Sequence, residues 1–465
     1  MTSSAITYRT IWRWHFYAGV FSIPFILWLS ITGSIYLFRP QIEAWLDRPY
    51  DHVALGGARA TPSTQVEAAL HAVPGTNFHY YVLPREEESA TQIVVGKGSK
   101  EYRVYVNPAT LQVLKVEDED KRPMNVLFYL HGELLMGDRG SNIVELAASW
   151  AIVLLLTGVY LWWPRQTKRL AGVLYIRLRQ GSRVFWRDLH AVTGVLISSY
   201  ALFILLSGLP WASFWGGQYL LAIRTFAASH LVHQDWTAGK SAEAQQRQER
   251  NANNMAGMQM PGASATGAVS HAGESGPLNR LVPRAEGFDL PWPVQVAPPS
   301  SPDGLWTVHT DTQDRPLRTT LYLNPVTGTV VREEPFSQLP LVDRIVDTGV
   351  AMHEGQLFGL VNQLIGLTAA LGLITLSISA IVMWWRRRHS GVLGAPLPIG
   401  KPRWSFALVT AVVALAIYLP EMAISLALVL VLEKAVFSRI PAVSHWLGLS
   451  ADLIVGEPAD RSGLP

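Results

Sequence analysis

Four of the chain's 13 histidines fall at matched positions in two pairs. Trp14-His15 is followed by Gly19 four residues on and Gly33 eighteen on. Leu189-His190 is followed by Gly194 and Gly208 at the same spacings. His131 is followed by Leu135, Gly137 and the pair Trp162-Trp163. His353 is followed at identical offsets by Leu357, Gly359 and Trp384-Trp385. A two-fold relation between the copies makes each pair face itself at one depth. Two imidazoles facing across a helix bundle suit axial ligation of a haem iron. Gly19 and Gly194, one turn from His15 and His190, leave room for a flat macrocycle. The pattern therefore predicts two bis-His haems, His15 with His190 and His131 with His353, one near each membrane face. They would be b-type, because no cysteine exists for covalent attachment. Interfacial histidines bonded to backbone are the structural alternative. Metal binding without haem is another, but two nitrogens leave zinc short of a ligand set.

Other candidates are weaker. His230 and His233, three apart, suit one helix face, as metal ligands or as a solvated outer helix. Met255, Met258 and Met260 offer thioethers to Cu(I), or belong to a low-complexity loop. His389 beside Arg386, Arg387 and Arg388 reads as part of a basic anchor. His71, His79, His271, His309 and His445 have no evident partner. The two Trp pairs read as aromatic belts.

The elements that must position these histidines follow from where charge is missing. No Asp, Glu, Lys or Arg lies between Arg13 and Arg39, Glu145 and Arg165, Asp188 and Arg224, or Glu354 and Arg386. Each run reaches the roughly 17–25 residues that cross a bilayer as a helix. A shorter pair, Trp404 to Pro420 and Met422 to Leu432, reads as two tight spans or one kinked helix. The first run is too long for a signal-peptide core and lacks a small-residue cleavage site, so it reads as an anchor. Residues 165–187 carry seven basic residues and no acid, and 386–403 carry five and none. Residues 39–145 carry 11 basic and 15 acidic residues, and 224–354 carry 10 and 14. The basic loops therefore face the cytoplasm and the long segments face outward.

The copies share more than histidines. Val104-Tyr105-Val106-Asn107-Pro108 recurs as Leu321-Tyr322-Leu323-Asn324-Pro325. The chain reads as two copies of helix, outer segment and helix in the same orientation, a parallel repeat. Residues 62–72 have a helical pattern. Residues 91–96, 101–106, 304–309 and 318–323 alternate like strands, and each Asn-Pro reads as a turn. An insertion, 237–285, rich in Gln, Asn, Ala, Gly and Ser, reads as mobile.

Composition removes several classes. Charged residues are 16% of the 465, hydrophobic residues 49%, and mean hydropathy is +0.19, which argues against a soluble enzyme. The missing cysteines exclude a disulfide scaffold, a thiol nucleophile and a Cys-bound cluster. The pI near 9.0 comes from the cytoplasmic loops, so no nucleic-acid partner is implied. No phosphate loop or nucleotide fingerprint is visible.

The Trp14-His15 first helix, the His131-Gly-Glu-Leu-Leu-Met-Gly and His353-Glu-Gly-Gln-Leu-Phe-Gly openings, the Trp-Trp-x-Arg exits and the Tyr-x-Asn-Pro strands resemble the PepSY-associated transmembrane family over residues 8–388. Asn-Pro stands where family strands often have Asp-Pro. The resemblance implies an α-helical membrane protein of about six transmembrane helices in the bacterial inner membrane. On it, 1–39 is helix one and 40–130 a periplasmic PepSY-like domain. Residues 131–165 are the His-bearing segment with helix two, and 166–187 the basic loop. Residues 188–212 are helix three and 213–352 the second PepSY-like domain. Residues 353–386 hold helix four, 387–403 a second basic loop, 404–438 a hairpin and 439–465 a cytoplasmic tail. The implied function is a ferric-siderophore reductase: electrons from a quinol or a cytoplasmic reductase reach a ferric chelate, of hydroxamate type, and Fe(II) is released. A haem-free binding or regulatory protein and a siderophore permease are the competing readings. The permease lacks the interrupted paired helices and buried charges of transporters.

Overall fold

The structure is a computed structural model that describes residues 3–164, 170–219, 239–257, 276–299, 303–398 and 405–449. In chain order its elements are α1 Ser3–Tyr36, α2 Arg39–Asp47, α3 Pro62–Ala72, β1 Asn77–Val82, β2 Thr91–Lys97, β3 Lys100–Val106, β4 Val113–Asp118, α4 Pro123–Glu133, α5 Asp138–Trp162 and α6 Ser182–Gly208. Then come α7 Lys240–Gly257, α8 Leu278–Glu286, β5 Val294–Ala297, β6 Trp306–Thr310, β7 Thr319–Leu323 and β8 Val330–Pro335. The last are α9 Leu341–His353, α10 Leu360–Arg387, α11 Phe406–Tyr418, α12 Pro420–Ala435 and α13 Pro441–Leu447. They form two compact units. A helical unit comprises Met1–Gly33, Asn142–Leu209 and Leu367–Pro465, and a sheet unit comprises Ser34–Ser141 and Pro210–Gly366.

The four charge-free runs become four helices long and apolar enough to cross a membrane: Ile6–Tyr36, Asp138–Trp162, Ser182–Trp211 and Leu360–Arg387. Less than a third of each apolar window is covered by protein. Leu156, Leu196, Leu371 and Ile378 point outward. Apolar helices uncovered by protein need lipid around them. Small residues let the helices approach: a Cβ at Gly372 would come within 2.8 Å of Ile197. The C-terminal pair differs from two full spans. Ser405 caps α11 by accepting from Leu408 N, and Pro420 opens α12 at a 119° bend. At 1.5 Å per residue the two helices are about 20 and 24 Å long, so neither alone crosses ~30 Å of hydrocarbon. Among the described residues, four helices are long and apolar enough to span, or five with the bent pair as one.

In the sheet unit the expected helix over 62–72 and the alternating strands form. The two outer segments are not separate there. Each makes a four-stranded antiparallel meander, and β1 pairs with β5 (Tyr81 opposite Val296), giving one eight-stranded sheet of order β4-β3-β2-β1-β5-β6-β7-β8. α3 and α8 lie side by side on it, and Asn279 Oδ1 accepts from Ser63 N at 2.9 Å. Val66, Ala69, Ile93, Val104, Leu278, Leu281, Val296, Val308 and Leu323 form one core across both halves. Each fully buried aliphatic contributes about 1.5–3 kcal/mol.

Within the insertion, the described residues 240–257 and 278–285 are helical. α7 is polar and still docks, because Arg247 reaches Glu101 Oε2 (3.1 Å), Asp120 Oδ1 (2.6 Å) and Glu243 Oε2 (3.2 Å). Glu133 accepts from Lys240 N at the helix start. α8 buries Leu278, Leu281, Val282 and Ala285. His79 also gains a partner, Glu101, at 2.6 Å, and His309 meets Thr320 at 3.2 Å.

The two Asn-Pro signals act as one device. Asn107 Oδ1 accepts from Ala109 N and Thr110 N, and Asn324 Oδ1 from Val326 N and Thr327 N. These are Asx turns. Asn107 is buried and also donates to Ala54 O. Asn107→Ala should therefore cost the sheet unit about 1–3 kcal/mol, and Asn324→Ala less. Thermal unfolding of the purified variants checks the order.

Candidate functional site

The helical unit brings His15 and His190 together. Their ring centroids lie 6.4 Å apart with planes at 84°. Metal–imidazole bonds run about 2.0–2.1 Å, and a ring centre lies about 1.2 Å beyond its nitrogen. One ion at which both ring nitrogens point therefore sets the centroids about 6.4–6.6 Å apart. The observed separation fits.

The tautomers fit as well. Thr157 Oγ1 spends its proton on Val153 O (2.7 Å), so it accepts at His15 Nδ1 (3.0 Å). Ser379 Oγ spends its proton on Leu376 O (2.9 Å), so it accepts at His190 Nδ1 (3.1 Å). The carbonyls of Leu154 and Leu376 lie within reach of the same two imidazoles. Both imidazoles thus carry hydrogen on Nδ1 and keep the Nε2 lone pair for a metal, the usual second-sphere arrangement. Gly158 supplies space, since a Cβ there would stand 3.3 Å from His15 Cε1. Gly19 and Gly194 face only ordinary contacts, to Leu154 and Leu376.

The sheet unit brings His131 and His353 together. His131 ends α4 and His353 ends α9. Burial, and next the neighbouring His353, lower the pKa of His131 to about 4, so its imidazole is neutral at physiological pH and able to ligate. A chain of aromatic rings leads to His353. Trp211 lies 6.4 Å from His353, Phe128 lies 5.9 Å from Trp211, and Tyr36 lies 5.9 Å from Phe128. Arg315 stands over Trp211 and pairs with Asp347 at 3.1 Å. The chain turns sharply after both histidines. Gly137 and Gly359, each six residues on, have φ of +61° and +58°, which glycine adopts without strain.

Among the described residues, no group of three or more His, Cys, Asp or Glu could hold a metal. A haem, which brings four nitrogens of its own, suits a two-histidine site.

Of the remaining candidates, His230, His233, Met258, Met260 and His271 lie outside the described residues, and so does the side chain of Met255. The Trp pairs do more than line an interface. Trp162 Nε1 donates to Val173 O and Trp384 Nε1 to Leu393 O, each pinning the loop that follows its helix. Thr157, Ser379, Gly158 and Trp211 were not singled out in the sequence. One signal marks the hydroxyls: Thr157 lies 26 residues after His131, and Ser379 lies 26 after His353.

Four apolar helices, an antiparallel sheet unit and paired histidines define a multi-pass membrane protein with an attached sheet domain. Residues 12–387 match the PepSY-associated TM region, and the chain belongs to that family. No curated protein sequence matches the chain.

Proposed function

We propose that the protein is a two-haem electron conduit of the bacterial inner membrane that reduces ferric siderophores. The observation that carries this reading is the His15–His190 pair, at the separation one six-coordinate iron requires and with both Nε2 lone pairs available. His131 and His353 hold the second haem. A haem held by both histidines of a pair would supply single-electron transfer rather than O₂ activation. The residues do the rest. Thr157 and Ser379 fix the imidazoles of the first site, and Trp211 packs beside His353 in the second.

The same reading includes a parallel tandem repeat, a cytoplasmic N-terminus and a periplasmic sheet. The donor is a quinol or a cytoplasmic reductase. The acceptor is a ferric chelate, of hydroxamate type by the family resemblance. One electron converts Fe(III) to the larger, softer Fe(II), which a hard-oxygen chelator holds poorly.

The purified protein should be red, with the split bands of low-spin b-type haem. Reduced anaerobically with dithionite and freed of excess, it should be reoxidised by ferric siderophores while ferrozine captures Fe(II). Neutral or cationic chelates should react faster than strongly anionic ones, because the sheet-forming segments carry 15 acids against 11 bases and 14 against 10. Salt should narrow that difference, since screening acts over ~8 Å. A colourless protein from haem-replete cells would support the haem-free binding reading instead. Reoxidation without Fe(II) release would point to another acceptor.

A further inference from the structure

In the helical unit, a cleft of about 480 Å³ opens where α10 ends. Trp385, Arg388, His389, Val392 and Trp446 line it. Its walls are braced. Trp384 Nε1 donates to Leu393 O at 2.8 Å, and Leu393 N donates to Trp446 O at 2.8 Å, which ties the end of α10, the turn after it and α13 into one frame. The Arg388 guanidinium lies 4.1 Å over Trp385 and 5.0 Å over Trp384. Gly391 and Gly394, at φ +83° and +81°, make the turn that carries Val392 across the opening. The two indoles are half exposed, at 62% and 48%. His389 is exposed at the rim.

The same helix connects this cleft to the first histidine pair. Ser379 and Leu376 hold His190, and Trp385 follows Ser379 by six residues, about 9 Å along the axis. On the neighbouring turn, Arg387 lies 5.3 Å over Trp12 and 5.5 Å over Phe16, which flank His15. An electron donor seated in the cleft would thus stand on the helix that holds His190, less than two turns beyond Ser379.

The lining selects the donor's chemistry. Flat indoles accept a flat ring, the imidazole accepts a proton, and the guanidinium supports the oxygen that loses it. The volume suits one ring headgroup and is small for a dinucleotide. Exposed Trp at the end of a spanning helix marks headgroup depth, where membrane-dissolved molecules present their polar rings. A soluble protein donor would call for a flat charged face rather than a braced cleft.

We propose that this cleft binds a membrane quinol and passes its electrons to the site built by His15 and His190. The proposal rests on the reading of those histidines as haem ligands. The quinol loses two electrons and two hydroxyl protons and leaves as the quinone. The two electrons would leave one at a time to the haem that His15 and His190 would hold. One proton passes to the imidazole of His389 and on to water, and the other leaves to water.

The test uses the full-length protein in detergent, anaerobically. Decylubiquinol and a short-chain menaquinol are mixed with the oxidised protein, and haem reduction is followed by absorbance. Calorimetry with oxidised decylubiquinone reads binding separately. Trp385→Ala, Trp446→Ala and His389→Gln should slow reduction by quinol at least tenfold. The two Trp variants should also lose quinone binding. Reduction by dithionite should be unchanged in all three, since none touches His15 or His190. Equal rates and equal binding in wild type and variants would overturn the cleft assignment and leave the haem reading standing. Haem that dithionite reduces but no quinol does would assign entry to a protein donor and overturn it too. A preparation without haem would defeat the haem reading, and this assignment with it.

Discussion

His15→Ala and His190→Ala should abolish the same low-spin haem signal and leave the other in place, while His131→Ala and His353→Ala should do the reverse. Haem content by pyridine haemochrome should fall from about two per chain to about one in each variant. The pairing follows from the fold. His15 and His190 belong to the helical unit and stand 6.4 Å apart, whereas His131 and His353 belong to the sheet unit, where His353 is near enough to lower the pKa of His131. Each iron needs both imidazoles, so either substitution removes half of its protein ligands. The double variant His15→Ala/His190→Ala should lose no more haem than either single one, because both act on one iron. Loss of one shared signal in His15→Ala and His131→Ala would mean that the chain pairs its histidines differently. Electron paramagnetic resonance follows the haem of His15 and His190 where visible bands overlap, because imidazole planes at 84° give it a characteristic anisotropy.

The spans and the histidines were legible because each leaves a one-dimensional mark. A charge-free run needs no knowledge of its neighbours, and an offset repeated in two copies can be counted. The strands around Val104 and Leu321 were legible for the same reason, through alternation and the Asn-Pro that closes each turn. What was not legible depends on partners far away in sequence. The pairing of Tyr81 with Val296 joins two meanders into one sheet, and alternation alone does not say which edge a strand will meet. α7 looks like a disordered segment because nothing within it explains its order. Arg247 finds Glu101 and Asp120 on the first meander, more than a hundred residues earlier. The bend at Leu419 was legible only as a choice between two tight spans and one kinked helix, since helices of 13 and 16 residues each fall short of a bilayer alone. Thr157 and Ser379 were hidden differently. A hydroxyl inside an apolar helix usually bonds its own backbone, as both do, and its second bond shows only when the partner helix is in place.

That second bond sets the last expectation. Thr157→Val keeps the shape of the side chain and removes the oxygen that accepts from His15 Nδ1. Ser379→Ala does the same to His190. Removing such an outer-shell partner costs 10–100-fold in metal affinity. The carbonyls of Leu154 and Leu376 remain as acceptors, so each single variant should sit near the lower end, about 10-fold. The two act on different imidazoles of one iron, so the double variant should approach ~100-fold. The potential should move in a stated direction. An imidazole that no longer donates strongly from Nδ1 is a poorer electron donor at Nε2, which weakens its hold on Fe(III) more than on Fe(II). The haem of His15 and His190 should therefore become easier to reduce, with a higher midpoint in a spectroelectrochemical titration. The haem of His131 and His353 should keep its own midpoint. Thr157→Ser, which restores an acceptor at the same place, should return both affinity and potential toward wild type. A merely structural role for the hydroxyls would lower haem content without moving the midpoint, and that result would refute the tautomer argument.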